Sequence, residues 1–187
     1  MNSRDYRRPL LLNYRYIADA QDYYEELGYE PVEAPWVIDE SAYEITLPDG
    51  VARYETLGGF LVGSAEQSFC QMLMDGHDLQ RVQAVTPCFR DESHDELHSP
   101  YFMKLELFDS TKPMTGESVL EMVSEAKAFF DQYLETKVIQ EAETSWDIVG
   151  KATGVELGSY GIRSFDEHSW IYGTGVALPR LQQVIAA

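Results

Sequence analysis

Between Tyr101 and Asp109 the chain alternates without a break: Met103, Leu105 and Leu107 fall on one side of an extended backbone, Phe102, Lys104, Glu106 and Phe108 on the other. Side chains of a strand repeat with period two, so the segment predicts a strand with one face in a core. Its other face carries a lysine and a glutamate flanked by aromatics, the pattern expected of the floor of a polar ligand site. Val82 to Arg90 predicts a preceding strand, and Asp91 to Pro100 a polar hairpin loop joining the two.

The flanking segments supply helices and further strands. Tyr16-Ile17, Ala20, Tyr23-Tyr24 and Leu27 recur at helical spacing, and Gly28 reads as the stop. The stretch Tyr29 to Ile38 is extended but broken by Pro31 and Pro35, which places it at an edge or an interface, because proline donates nothing to a ladder. Pro48-Asp49-Gly50 is a turn, and Arg53 to Val62 a strand or hairpin around Gly58-Gly59. Ser64 caps a helix, with Gln67 at the capping-box position, Phe69, Met72 and Leu73 on its apolar face, and Gly76 at its end. Gly116 to Lys137 predicts the longest helix. Trp146 to Lys151 and Val155 to Tyr160 predict two strands, Arg163 to Trp170 a polar connection, and Trp170 onward a last strand running into Gly173-Thr174-Gly175. Pro179 suits the first turn of a short closing helix. Strands and helices do not alternate as in crossover units, so the order predicts an α+β fold with a mostly antiparallel sheet covered by helices.

At 187 residues the expectation is one domain over 1–187. Fourteen Lys and Arg against 32 Asp and Glu give a net charge of -18, a field that disfavours a protein whose main business is gripping RNA. A small anionic nucleotide held by a few placed arginines is compatible with it. Arg90, beside Asp91 and Glu92, and Arg180, after the glycine-rich strand, suit a site that grips a bent triphosphate from two sides. Cys70 and Cys88 sit in apolar surroundings and match no metal spacing, which predicts reduced, buried thiols. Leu10-Leu11-Leu12 is too brief for a signal core or a membrane span, so the expected location is cytoplasmic.

In this order the segments resemble the motifs of class II aminoacyl-tRNA synthetase catalytic domains. Leu27 to Pro35 resembles the first motif, which in that family builds the dimer interface. Phe89-Arg90-Asp91-Glu92, the loop with His98 and Tyr101 to Glu106 resemble the second, and Gly173 to Arg180 the third. Gly63-Ser64-Ala65-Glu66 is similar to the loop that meets the amino group of the amino acid, and Glu156-Leu157-Gly158-Ser159 to the strand lining ATP and magnesium. Each motif alone is common; five in family order, from about Tyr16 to Ala187, are specific.

The resemblance implies activation of an amino acid with ATP and Mg2+. Two anions, a carboxylate and the α-phosphate, must approach each other, and the Arg90 guanidinium is suited to neutralise them. Arg180 would hold the γ-phosphate, with backbone N–H groups of the helix start beside it. Glu92 would accept from the adenine amino group, Phe102 stack on the ring and His98 contact the outer phosphates. Glu156 and Ser159 are the candidate magnesium ligands. Glu66 is the candidate for the substrate ammonium; Glu106, Tyr160 and Arg163 complete the substrate-binding candidates, and which amino acid fits is open. The chain departs from the third motif at Ala177, where glycine is usual, and at Pro179, often acidic. No anticodon-reading domain and no basic stripe for a tRNA backbone is evident, so tRNA, a carrier protein or a small molecule all remain as acceptors. A homodimer through residues 16–38 is expected, with no membrane association; a non-catalytic paralogue that binds an amino acid or nucleotide is the alternative.

Overall fold

A computed structural model describes residues 12–46, 53–90 and 100–187. In chain order α1 (Arg15–Glu26) leads to β1 (Glu30–Pro31), β2 (Val37–Ile38), α2 (Glu40–Glu44), β3 (Glu55–Thr56), β4 (Gly59–Leu61) and α3 (Ala65–Met74). The paired strands β5 (Arg81–Phe89) and β6 (Tyr101–Asp109) precede α4 (Gly116–Phe130). Then come β7 (Thr136–Ala142), β8 (Ser145–Gly150), β9 (Glu156–Phe165), β10 (His168–Leu178) and α5 (Arg180–Ala186).

Seven strands form one sheet in the order β1-β5-β6-β10-β9-β8-β7, antiparallel throughout except for the parallel β1–β5 pair at the edge. The α+β architecture expected from the element order is therefore the one observed, and the proline-bearing segment lies at the sheet edge. A separate three-stranded sheet, β2-β4-β3, includes the hairpin expected at Gly58-Gly59.

The alternation in β6 sorts the two faces. Leu105 and Leu107 enter a core shared with Ile17, Ala20 and Tyr24 of α1, Val119 to Phe130 of α4, and Leu181 and Val184 of α5. Phe108 enters a second core on the opposite face with Phe69 and Leu73 of α3, Ala42 and Tyr43 of α2, and Trp170. Close packing explains the glycines of β10. A Cβ on Gly175 would come within 2.3 Å of Leu105, and one on Gly173 within 2.6 Å of both Met122 and Tyr160.

Three local expectations change. Helix α4 stops at Phe130, and the polypeptide returns as the strand β7. The apolar spacing that continues through Tyr133 and Leu134 mimics a longer helix. The Asp131 carboxylate, however, accepts from the N–H (3.1 Å) and hydroxyl (2.5 Å) of Thr136, and the β-branched run Thr136, Val138, Ile139 favours extension. Residues 163–170 are not a connection but the close of a long hairpin: β9 and β10 pair from Tyr160–Gly173 out to Phe165–His168, with Asp166 at φ 50° in the turn. Polar side chains on the exposed end of this hairpin hide its strand character. Helix α2, short and anchored by Ala42 and Tyr43, carries no sequence signal of its own.

Candidate active site

Lys104 and Glu106, alternating with the core residues of β6, point toward the start of α3. Ser64 caps that helix, its Oγ accepting from the Glu66 N–H at 3.3 Å. Gln67 reaches back to accept from the Gly63 N–H at 2.7 Å, one residue earlier than a standard capping box. The same Ser64 hydroxyl lies 2.6 and 2.8 Å from the Glu106 oxygens, the Ala65 N–H donates to Oε2, and Lys104 Nζ donates to Oε1 at 2.7 Å. Burial works to raise the Glu106 carboxyl, but Lys104, Ser64 and Ala65 together hold it below the ordinary carboxylate range. Glu106 thus fixes the Gly63–Glu66 turn to the sheet, its oxygens fully engaged in doing so.

Glu66, in the first turn of α3, is a second buried carboxylate beside Glu106. Its Oε1 accepts from the indole Nε1 of Trp170 at 2.9 Å and lies 3.3 Å from Arg163 Nε. Burial pushes the Glu66 carboxyl up, opposed by Arg163 and by the Trp170 hydrogen bond. Arg163 and Trp170 face each other across the β9–β10 ladder, so one register places both donors on the same side of the sheet. The Arg163 guanidinium also rests over the Tyr172 ring, 5.0 Å from its centroid.

These groups border a cavity of about 190 Å3 whose lining includes Glu66, Arg90, Lys104, Glu106, Ser159, Arg163, Tyr172 and Thr174. That is smaller than the roughly 300–1,000 Å3 of sites for drug-sized ligands. Two larger hollows, about 320 and 450 Å3, lie along Pro31–Trp36, but they are shallow and no cluster of charged groups converges on them. The smaller cavity is the better-built site.

Arg90 stands at its mouth, just past β5, with Nε donating to the Gly63 carbonyl at 2.9 Å and its guanidinium 5.2 Å from the Phe102 ring. Arg180 opens α5 and does not line the cavity; its NH1 is 3.6 Å from Glu156 Oε1. The two arginines nonetheless share one end of the sheet. Leu178 is paired with Met103, Phe89 with Tyr101, and the Arg90 N–H with the Pro100 carbonyl. Glu92 and His98 lie outside the described residues.

Tyr160 corrects the expectation of a pocket residue: its ring is buried in the core beneath α4 and its hydroxyl donates to the Thr174 carbonyl at 2.6 Å. The period-two alternation of β9 puts it opposite Ser159 and Arg163. Trp170 and Tyr172 are site residues that sequence reasoning missed. The available signal was their phase with Thr174 in β10. Cys70 and Cys88 are free and buried; burial, with Glu66 and Glu106 adding respectively, pushes each thiol up to about 12.

Glu156 and Ser159 offer one carboxylate and one hydroxyl, and no group of three or more His, Cys, Asp or Glu side chains gathers among the described residues. Such a pair fits a magnesium ion that arrives with a nucleotide and has its shell completed by phosphate and water. No helix among the described residues is long and apolar enough to cross a membrane.

A family model for class II tRNA synthetases (D, K and N) matches residues 1–157, which leaves β10 and Arg180 beyond the matched segment. No curated protein matches. Among solved structures, PylSc of Desulfitobacterium hafniense, a pyrrolysyl tRNA synthetase, superposes with a TM-score of 0.72 at 18% identity, covering 97% of this chain and 70% of that one. A second structure of pyrrolysyl-tRNA synthetase from that organism gives 0.68 at 17%, covering 97% and 71%. The cytoplasmic serine-tRNA ligase of Naegleria fowleri in complex with AMP gives 0.68 at 16%, covering 94% and 49%. Identities this low speak for the fold, and they extend that likeness over β10 and α5.

Proposed function

Because the chain belongs to the class II (D, K and N) tRNA synthetase family, whose catalytic fold binds ATP and an amino acid, we propose that it activates an amino acid with ATP, releasing pyrophosphate. The observation that carries this reading is the cavity lined both by Arg90 and by a buried, oriented carboxylate, Glu66. A zwitterion needs that pair: an anion for its ammonium and a cation where its carboxylate meets phosphate.

In this reaction one substrate carboxylate oxygen bonds to the α-phosphorus as the bond from that phosphorus to the β-bridging oxygen breaks. Arg90 binds both anions and offsets the charge that gathers in the transition state. Glu66 receives the ammonium on Oε2, the oxygen without a partner among the described residues. Arg163 and Tyr172 border the side-chain end. Phe102, beneath Arg90, takes the adenine ring, with Glu92 and His98 as further nucleotide contacts. Arg180 holds the γ-phosphate after giving up its long pairing with Glu156. Magnesium held by Glu156 and Ser159 would neutralise the outer phosphates.

The acceptor of the activated acyl group is a tRNA, a carrier protein or a small molecule; the charge of -18 favours the latter two. We assign residues 1–157 and the remainder to one catalytic domain, located in the cytoplasm. It would dimerise through residues 16–38, where β1 forms the sheet edge and Trp36 is 54% exposed. Sedimentation showing only monomer at micromolar concentration would remove the dimer. Exchange of labelled pyrophosphate into ATP, screened across the common amino acids, tests the activity; exchange with one or a few is expected, and none from folded protein overturns it.

One observation favours a second reading, a paralogue that binds without turnover. Arg180 and Glu156, assigned to phosphate and magnesium, are paired with each other, and Ala177 and Pro179 alter the motif around them. Calorimetric binding of an aminoacyl-adenylate analogue without exchange would select it.

A further inference from the structure

We propose that Trp170 is a positioning residue that selects α-amino over α-hydroxy substrates, by fixing Glu66 so that Oε2 alone is presented to the cavity. The inference rests on Glu66 as the ammonium receptor, and adds a residue to that site.

Trp170 is fully buried, stacked on Phe108 with centroids 5.6 Å apart and planes at 20°, and Phe108 packs in turn on Phe69. A phenylalanine would fill most of that space. The indole differs in carrying one N–H, which in a dry site must find an acceptor, and the acceptor is Glu66 Oε1 at 2.9 Å. Arg163 Nε approaches the same oxygen at 3.3 Å, from the neighbouring strand. One hydrogen bond and one ion pair on Oε1 hold the carboxylate's rotation and leave Oε2 for a ligand. Arg163 is partly exposed and its side chain is long, whereas the indole has no freedom to move. The tryptophan is therefore the fixed half of the clamp. An ammonium group satisfies Oε2; a hydroxyl brings no charge and, by covering the cavity, leaves an ionised oxygen cut off from water and poorly compensated.

Removing the indole N–H takes away a group that favours the ionised form. The other charged or titratable groups around Glu66 are Arg163 from β9, Lys104 and Glu106 from β6, Cys70 one turn along α3, and Arg90, Tyr43 and Tyr172, which line the same cavity. Trp170→Phe alters none of them.

The test is a pH titration of Glu66 by carbon-13 NMR of labelled glutamate, its carboxyl signal identified by disappearance in Glu66→Gln. In Trp170→Phe the midpoint moves up by about one pH unit, the size expected for losing a hydrogen bond to a charged group. With substrate, the KM for the amino acid rises about tenfold while the KM for ATP holds, and the preference over the matching hydroxy acid shrinks. A midpoint that stays put in Trp170→Phe of unchanged melting temperature overturns the proposal, as does an equal rise in both KM values. Should that variant fail to fold, the unsubstituted protein decides: the indole N–H signal of Trp170, separated from the other two tryptophans by Trp36→Phe and Trp146→Phe, must shift with pH at the Glu66 midpoint. An indole signal blind to that titration overturns the proposal. Absence of exchange in the wild type instead defeats amino-acid activation, and leaves the indole to be judged by the two titrations.

Discussion

Strands β5 and β6 carry two clusters of partly buried charge, and they are built to opposite ends. At the Arg81 end, the guanidinium donates to Asp109 at 2.8 Å and to both Glu125 oxygens at 2.8 and 2.9 Å, and stacks 4.0 Å from the Tyr29 ring, whose hydroxyl also donates to Glu125. Each carboxylate has a partner and no described cavity borders the group; it clasps α4 and the post-α1 segment to the sheet. At the other end, Lys104, Glu106, Glu66 and Arg163 surround a cavity and leave one carboxylate oxygen unused. Charge in a strand therefore does not mark a site. Spare hydrogen-bonding capacity facing a cavity does.

The sharpest way to break this contrast is Arg90→Ala, at the mouth of the cavity. Pyrophosphate exchange should fall about 1,000-fold, the loss expected for removing a main electrostatic contact to the transition state. The melting temperature should shift by no more than about 2 °C. Next comes Arg81→Met at the closed cluster, which strands Asp109 and Glu125 and should cost about 3 kcal/mol, or about 6–12 °C in melting temperature. Its KM values should stay at the wild-type level in the folded fraction. Loss of exchange in folded Arg81→Met would erase the distinction between the two clusters.

Glu106 sharpens the contrast through pH. Its folded-state pKa is depressed, so the stability it contributes is present above the unfolded value of about 4.3. It is lost as the pH falls through the lower, folded value. Denaturant unfolding across that acid range should show a shallower pH slope in Glu106→Gln than in the wild type, and an unchanged slope would mean that the Ser64, Ala65 and Lys104 contacts do not favour the ionised form. Smallest of all is Lys127→Ala, which breaks an exposed pair with Asp131 one turn along α4. Chemical denaturation should register less than about 0.5 kcal/mol, the baseline for a pair that neither clasps nor binds.

Much of this arrangement was legible because strand and helix periods differ. The phase of β6 predicted both its core face and its charged face, and Ser64 with Gln67 announced α3. What escaped were features set across strands. Tyr160 and Ser159 are neighbours in the chain but lie on opposite faces, and only the phase of β9 within the sheet assigns them. Trp170 read as the first apolar residue of a last strand, because its meeting with Glu66 spans 104 residues and no local pattern records it. Thr136 and Lys137, which open β7, fell within the expected helix because Tyr133 and Leu134 extend the helical stripe by chance, while the decisive contact, Asp131 to Thr136, is a side-chain bond.

Glu106 has a wider consequence, since one carboxylate both underlies the cavity and tethers the turn that carries Glu66. Any drift at position 106 would shift the turn and the receptor together, so it is the part of the pocket least open to change. Arg163, paired with Glu66 at the cavity wall, shares that double duty; Tyr172 makes no hydrogen bond with either carboxylate among the described residues. A descendant or a designed variant that accepts a new side chain should therefore differ at the Tyr172 wall first, keeping the foundation as inherited.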